Sequence, residues 1–178
     1  MRKLTHDELM RKRHLQDQLS EAVTVPVYGL LDNIRSLYNV GSIFRTSDGA
    51  LLRKLFLCGY TPVPPKKEIE KTSLGAVNSV PWEYYQDPLE GLKYARAQGA
   101  KICILEQTTA SAPYHSITRN DLPLCLVVGN ELTGISPEVI READMAIEIP
   151  MYGTKQSLNV AVAYAIALFE LVRVWRNS

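Results

Sequence analysis

Residues 124–137 read LCLVVGNELTGISP, an apolar run followed by a turn that opens with Gly129 and closes at Pro137. The apolar run predicts a buried strand, and the proline predicts the start of a helix directly after the turn. Many α/β proteins hold a phosphorylated or nucleoside-like ligand where a strand passes into a helix in this way. A P-loop needs a lysine before its Ser/Thr, and Ile135 stands in that place. A nucleoside triphosphatase is therefore disfavoured, and Glu131 lies either at a ligand site or in an ordinary surface turn.

The composition is that of a folded protein of one domain. The 178 residues are 46% hydrophobic and 22% charged, which argues against a disordered chain. No apolar run approaches the roughly 20 residues that span a bilayer, and the basic N-terminus leads into a charged segment rather than an apolar signal core. We therefore expect a cytoplasmic protein without a membrane segment.

Cysteine, histidine and net charge narrow the chemistry further. Cys58, Cys103 and Cys125 each lie in an apolar stretch and lack CxxC spacing, which predicts buried thiols rather than disulfides or zinc ligands. The three histidines are scattered, so no metal site is expected. A net charge of +1 means that any contact with nucleic acid must come from a local basic surface.

The N-terminal segment carries a helix start signal. Thr5 and Glu8 have the spacing of a capping box and predict a helix over residues 5–22. Residues 1–14 hold five basic and two acidic residues, an excess of +3, so this helix has either a solvated charged face or an RNA-contacting patch. The predicted parts of the chain are a basic N-terminal helical extension, 1–23, and a main domain, 24–178.

Beyond the extension, strand-like and helix-like patterns alternate. Five short apolar runs suit parallel strands covered on both faces: 25–31, 54–58, 101–105, 124–128 and 146–149. Four helical patterns lie among them: 39–52, 88–98, 137–142 and 158–176. The alternation predicts an α/β fold, a parallel sheet with helices on both faces.

Residues 61–72 follow neither pattern. They hold three prolines together with Lys66, Lys67 and Lys71, and they are neither regular nor apolar. We predict a mobile loop or lid.

The last helical pattern is the most apolar. Ser157 is its predicted N-cap. Apolar residues recur along it at helical spacing and form a stripe that includes Tyr164 and Val172. This stripe must pack against another surface.

Three polar clusters follow predicted strands. In open α/β sheets, ligands bind outside the carboxyl ends of strands, so these clusters are candidate site residues. They are 32–35 with 39–46 after the first strand, 129–131 after the fourth, and 149–153 leading to 157–159 after the last. Taken singly, Asn39 and Ser157 are explained as helix caps and Arg45 as an ion-pair partner. Their joint occurrence favours one shared site.

The clusters resemble the three ordered motifs of the SpoU (TrmH) family, the RNA 2′-O-ribose methyltransferases of the SPOUT class. The matching runs are N-x-x-x-x-x-R at residues 39–45, V-G-N-E at 128–131, and I-P-M…S-L-N over 149–159. The likeness extends from about residue 25 to the C-terminus, and both the order and the spacing of the motifs fit.

The resemblance implies S-adenosylmethionine as cofactor, bound in a deep trefoil knot in the C-terminal third. It also implies a homodimer in which the last helix packs against the partner subunit. The Tyr164 and Val172 side of the apolar stripe would then contact that partner. A knot runs against the rule that chains are not threaded, and no residue pattern predicts it. No metal is implied. By motif position Gly129, Ile149, Met151 and Leu158 would contact the cofactor, and Leu105 and Glu106 would lie near it, where the preceding strand ends.

By the same resemblance Arg45 is the catalytic arginine, in a polar setting formed by Asn39, Glu131, Ser157 and Asn159. A guanidinium has a pKa above about 12 and is a poor general base. A guanidinium is better suited to stabilise a developing alkoxide and to bind the adjoining phosphate. Arg45 is therefore either a base or an electrostatic clamp, and its chemistry favours the clamp.

Transfer to a ribose 2′-OH implies RNA as substrate, either tRNA or rRNA. Its phosphates would meet local basic residues: the N-terminal helix, Lys66, Lys67, Lys71, Arg53 and Lys54. Two alternatives stay open. One is a catalytically silent RNA-binding or assembly factor that kept the knotted fold, and the other is a knotted methyltransferase acting on a base nitrogen.

Overall fold

Seven strands form the centre of the computed structural model, which describes residues 1–11 and 23–177. They are β1 (Val25–Asp32), β2 (Leu52–Cys58), β3 (Trp82–Tyr85), β4 (Lys101–Leu105), β5 (Ala112–Pro113), β6 (Leu124–Gly129) and β7 (Met145–Glu148). All pair in parallel, in the order β3-β2-β1-β6-β4-β7-β5. The predicted parallel α/β sheet is confirmed.

Helices cover both faces of this sheet. The helices are α1 (His6–Arg11), which has no buried residue, and the five that cover the sheet, α2 (Leu37–Ala50), α3 (Lys67–Ser73), α4 (Pro88–Ala97), α5 (Pro137–Arg141) and α6 (Val160–Arg176). Buried residues of α2, α3 and α6 pack on the face that holds Leu31 and Leu57. Those of α4 and α5 pack on the face that holds Leu30 and Phe56, because neighbouring strand residues point to opposite sides. Within the described ranges, no helix is long and apolar enough to cross a membrane.

The middle of the sheet is closed to solvent. All eight residues of β1 are buried, as its continuous apolar run predicts. Cys58, Cys103 and Cys125 lie in β2, β4 and β6, and all three are free and buried, which confirms the predicted buried thiols. Burial raises the pKa of the Cys103 thiol to about 12.

The prediction of a mobile loop over residues 61–72 is wrong. Lys67–Ser73 form α3, and Ile69 of this helix is completely buried in the core that α2 also builds. Ahead of α3, Thr61 Oγ1 donates to Leu31 O at 3.1 Å and accepts from Ile34 N at 3.0 Å. A short helix with one core residue has no detectable apolar period. Packing against α2, rather than a local pattern, orders the segment.

The last helix begins later than predicted and buries the side that was expected to meet a partner. Asn159, not Ser157, is its N-cap, and the Asn159 side chain accepts from Ala161 N at 3.0 Å. Tyr164 is completely buried within the chain, and its hydroxyl lies 2.9 Å from Ser47 Oγ of α2. The prediction that Tyr164 faces a partner is therefore wrong. An apolar stripe shows that a helix packs, but not against which element.

The capping box at the N-terminus is confirmed. Thr5 N donates to Glu8 Oε2 at 2.8 Å, and Glu8 N donates to Thr5 Oγ1 at 3.3 Å. Arg2 forms an ion pair with Glu8 at 2.6 Å, which offsets part of the local basic charge. The predicted continuation of α1 over residues 12–22 lies outside the described residues.

Candidate functional site

A cavity of about 400 Å³ opens at the carboxyl ends of β4, β6 and β7 and is bounded by the segment before α6. Small-molecule sites usually measure about 300–1,000 Å³, so a nucleoside-sized ligand fits. Nine of the eleven predicted site residues line this first cavity: Leu105, Glu106, Gly129, Glu131, Ile149, Met151, Ser157, Leu158 and Asn159. The structure therefore brings together stretches that are far apart in the sequence.

A second cavity of about 350 Å³ lies where β1 and β6 end side by side. Arg35, Ser36 and Asn39 line it from the β1 side, and Glu131 and Leu132 from the β6 side. The last two also line the first cavity, so the two cavities share a wall. In the sheet, β2 lies on one side of β1 and β6 lies on the other, so the strand order changes direction between β1 and β6. Such a topological switch point is where open α/β sheets bind ligands.

The turn after β6 is so tight that only glycine fits at its start. A Cβ at Gly129 would lie 2.3 Å from Ile135 N and 2.4 Å from Gly134 C. Backbone hydrogen bonds of 3.0 Å join Asn130 and Gly134 in both directions. Gly129 thus lets the turn fold back on β6 and places its backbone along the first cavity.

Two buried polar side chains hold this turn on the end of β1, and sequence reasoning assigned neither a role. Asn130 Nδ2 donates to Asn33 O at 2.8 Å and to Tyr60 Oη at 2.5 Å. Asp32 is completely buried and accepts from the N–H and the hydroxyl of Ser136, both at 2.7 Å. A polar residue directly after a buried strand is the signal for such an anchor. The partner groups cannot be read from the sequence, since they lie 97 and 104 positions away.

Glu131, Asn39 and Asn159 form a set of hydrogen bonds that we call the Glu131 network. The carboxylate accepts from the backbone N–H groups of Arg35 at 2.9 Å and Ser36 at 3.0 Å. It also accepts from Asn39 Nδ2 at 2.8 Å, and Asn39 Oδ1 accepts from Asn159 Nδ2 at 3.1 Å. Because Asn159 also caps α6, its amide has a fixed orientation. The network ties the three polar motifs together.

The surroundings of Glu131 favour its ionised form. Burial acts to raise the pKa, but hydrogen bonds from the Arg35 backbone, the Asn39 side chain and the Ser36 backbone outweigh it. The pKa of Glu131 consequently lies below its ordinary value.

Glu131→Gln is expected to lower the free energy of unfolding near neutral pH, because the amide would place a donor against the donors of Arg35, Ser36 and Asn39. The deficit should be constant above the pKa of an unfolded glutamate, about 4.3. It should shrink as the pH falls through the lower folded-state pKa, where the wild-type carboxylate takes up its proton. Urea unfolding of both proteins over a series of pH values measures this, and a deficit that grows on acidification would contradict it.

Ser157 and Arg45 do not join the Glu131 network. Ser157 is exposed, lines the first cavity and makes no hydrogen bond to a described residue. Arg45 is exposed on α2 and, in the described part of the chain, lines neither cavity. At 3.6 residues per turn it lies about 120° round the helix axis from Asn39. Within one chain, Arg45 is therefore apart from the residues predicted to act with it.

The first cavity offers carboxylates, apolar side chains and backbone groups. Glu106 accepts from the N–H groups of Gln107 at 3.0 Å and Ile135 at 3.3 Å. Glu148 accepts from Ser111 Oγ at 2.5 Å. Among the described residues, no group of three or more His, Cys, Asp or Glu is arranged to hold a metal ion. These groups suit a ligand that has an apolar, nucleoside-like part and a positive charge.

Fold and site together define an α/β protein whose parallel sheet carries, at its carboxyl edge, a cavity suited to a nucleoside-like ligand. The profile of the SpoU rRNA Methylase family matches residues 26–169. The chain belongs to this family, which confirms the resemblance drawn from the three motifs.

Known proteins similar to this chain include one curated relative and two solved structures. The tRNA (guanosine(18)-2′-O)-methyltransferase of Aquifex aeolicus strain VF5 is 36% identical over 143 residues, 80% of this chain and 66% of the relative. The A. aeolicus TrmH/SpoU tRNA modifying enzyme has a TM-score of 0.79 and 31% identity, covering 93% of this chain and 84% of that one. The AdoMet-bound rRNA methyltransferase of Sinorhizobium meliloti has a TM-score of 0.78 and 31% identity, and the match covers 87% of this chain and 59% of that one. The chain spans less than two thirds of the length of the curated relatives that it matches.

Proposed function

We propose that this protein transfers a methyl group from S-adenosylmethionine to a ribose 2′-OH of tRNA or rRNA. The Glu131 network carries the proposal, because it stands at the wall shared by a cavity of cofactor size and a second, more open one. Similarity to a tRNA (guanosine(18)-2′-O)-methyltransferase and to an AdoMet-bound rRNA methyltransferase supports it.

The cofactor would occupy the first cavity. When bound, S-adenosylmethionine supplies an electrophilic methyl group on a positively charged sulfur. Glu106 and Glu148 complement that charge. The turn after Gly129 offers backbone groups instead of side chains. The residues that would hold the cofactor are Leu105, Glu106, Gly129, Ile149, Met151 and Leu158.

The acceptor ribose would enter the second cavity. Exposed Arg35 is placed there to contact a phosphate. Asn39 is held from both sides by Glu131 and Asn159, so it presents a fixed amide to the acceptor. Ser157 Oγ lines the neighbouring first cavity and has no hydrogen-bond partner among the described residues, so it can accept the 2′-OH proton while its own hydroxyl proton passes to water.

The active unit in this proposal is a homodimer, with a trefoil knot in the C-terminal third of each chain. Support for the dimer comes from an exposed surface that we call the α2–α6 face, formed by Arg45, Gly49, Val162 and Phe169. Val162 and Phe169 are 48% and 49% exposed although they are apolar. A Cβ at Gly49 would lie 3.7 Å from Phe169 Cζ, and Arg45 is one helical turn before Gly49. A second copy on this face would cover the apolar side chains and receive Arg45 at its second cavity, where the acceptor ribose would bind.

RNA affinity would come from local basic residues. Lys66, Lys67 and Lys71 are exposed and form no ion pair with a described residue. Lys54, in contrast, pairs with Glu83 at 2.6 Å, which leaves it less free to bind phosphate. Residues 1–23 would act as a basic extension of a methyltransferase domain over 24–178, and the protein would act on its RNA in the cytoplasm.

S-adenosylmethionine is expected to raise the melting temperature. At about 100 times its Kd, a ligand that binds only the folded state adds about 2.7 kcal/mol, which is roughly 5–10 °C for a chain of this size. Differential scanning calorimetry with and without the cofactor measures the shift, with free methionine as the control ligand because it lacks the nucleoside. An unchanged melting temperature at saturating cofactor would instead support a catalytically silent RNA-binding factor.

A further inference from the structure

Tyr60 presents an exposed aromatic ring that is fixed at both ends. The residue is 60% exposed, yet its N–H donates to Asn33 Oδ1 at 3.1 Å and its hydroxyl accepts from Asn130 Nδ2 at 2.5 Å. A Cβ at Gly59, where φ is +64°, would lie 2.0 Å from Asn33 Oδ1. The preceding glycine is thus what lets Asn33 reach the Tyr60 backbone. These contacts keep the Tyr60 ring exposed to solvent, although a large aromatic ring favours burial.

The turn that carries Tyr60 is itself held firmly. Tyr84 Oη of β3 lies 2.7 Å from Gly59 O, just before Tyr60. Directly after it, buried Thr61 is bonded to the backbone at the end of β1. The ring has little freedom left to lose, so a ligand that stacks on it meets a small entropic cost.

Tyr60 also lies at the same edge of the sheet as both cavities. Asn130, which its hydroxyl contacts, lines the first cavity, and Arg35, two residues after Asn33, lines the second. Arg35 is exposed, and so is Lys66 on the segment that follows Tyr60. A fixed ring among amide and cationic groups suits a nucleobase with its phosphate better than it suits an apolar protein surface.

We infer that Tyr60 stacks on an RNA base next to the nucleotide whose ribose enters the second cavity. This inference rests on the proposed function and adds a substrate preference to it. A base within a duplex has no free face to offer, so the protein selects an unpaired stretch of RNA at the modified position. Stacking tolerates any base, because every base has an aromatic face.

Tyr60→Ala and Tyr60→Phe form the matched pair that tests the inference. Tyr60→Ala is expected to raise KM for total tRNA and rRNA from cells lacking the gene about 10- to 100-fold, the effect of losing one stacked base. Tyr60→Phe keeps the ring and is expected to stay within about threefold of wild type. Anisotropy of labelled single-stranded RNA oligomers gives the same comparison as a Kd without requiring catalysis.

Several controls keep the outcome interpretable. Tyr94→Ala removes a partly exposed tyrosine of α4 that lines neither cavity, and it should leave KM unchanged. Tyr60→Leu, which lacks an aromatic face, replaces Tyr60→Ala if that variant does not fold. Wild-type KM and Kd in Tyr60→Ala, or equal losses in Tyr60→Ala and Tyr60→Phe, would overturn the inference. An absence of methyl transfer by the wild type would instead count against the proposed function, and the Kd comparison would still decide the role of Tyr60.

Discussion

Arg45→Ala is expected to lower kcat for methyl transfer about 10²–10³-fold, the usual effect of removing one group that stabilises a developing oxyanion. The cofactor-induced rise in melting temperature should be unchanged, because Arg45 lines neither cavity of its own chain and would reach only the acceptor cavity of the second copy. Steady-state kinetics with RNA and calorimetry measure the two effects. Arg141→Ala is the matched control, since Arg141 is also exposed and lines neither cavity. Loss of cofactor binding in Arg45→Ala would contradict this account.

Mixing two inactive variants shows which copy Arg45 serves. Asn159→Asp keeps an oxygen to cap α6 but removes the amide that Asn39 accepts from. If Arg45 acts on the second copy, a mixed dimer with Arg45→Ala holds one intact site. An equimolar, freely exchanging mixture should then recover about a quarter of wild-type activity, because half of the dimers are mixed. No recovery would place Arg45 at the site of its own chain.

The pH dependence of Arg45→Lys separates the two chemical roles. A clamp predicts weakened RNA binding and a nearly unchanged pH profile, because both side chains are cationic near neutral pH. A general base predicts substantial activity with a lowered pH optimum, because the pKa of lysine lies below that of arginine.

Gly129→Ala is expected to cost about 2–4 kcal/mol of unfolding free energy and to abolish the cofactor-induced rise in melting temperature. The added Cβ would lie 2.3–2.6 Å from the backbone of Gly134 and Ile135. That backbone cannot retreat without breaking the paired bonds between Asn130 and Gly134. Urea unfolding and calorimetry measure both effects.

Gly153→Ala is the control for this substitution. A Cβ at Gly153 meets nothing within 4 Å, so the free energy of unfolding should change by less than about 0.5 kcal/mol. If Gly129→Ala were as stable as Gly153→Ala and still bound the cofactor, the turn could not be as tight as described.

The fold was predictable where strands are buried on both faces. The apolar runs of β1 and β6 stand out because all residues of β1 and all but the last residue of β6 are buried, and β4 has an uninterrupted buried run at Ile102, Cys103 and Ile104. The sequence did not reveal β3 and β5, which lie at the two edges of the sheet. No residue of β3 is fully buried, and β5 is a two-residue pairing with β7. Whether such edge segments form strands depends on pairing with the neighbouring strand rather than on their own residue pattern.

The candidate site was predictable as motifs but not as contacts. Order and spacing of polar residues located the walls of the first cavity, because parallel strands bring their carboxyl ends to one edge. Asp32 and Asn130 could not be assigned as anchors, since their partners are set by the pairing of β1 with β6. Ser157 and Asn159 are both possible N-caps of α6 from the sequence. The hydrogen bonds from Ala161 N and Val162 N to Asn159 Oδ1 identify Asn159 as the cap.

The position of the transferred methyl group tests the central claim most directly. RNA from cells lacking the gene is incubated with the protein and S-adenosylmethionine that carries a deuterated methyl group, then digested to nucleosides and analysed by mass spectrometry. The proposed function predicts the label on the ribose of a single nucleoside species, as a 2′-O-methyl group. Label on a base with an unmodified ribose, or unlabelled RNA despite cofactor binding, would contradict it.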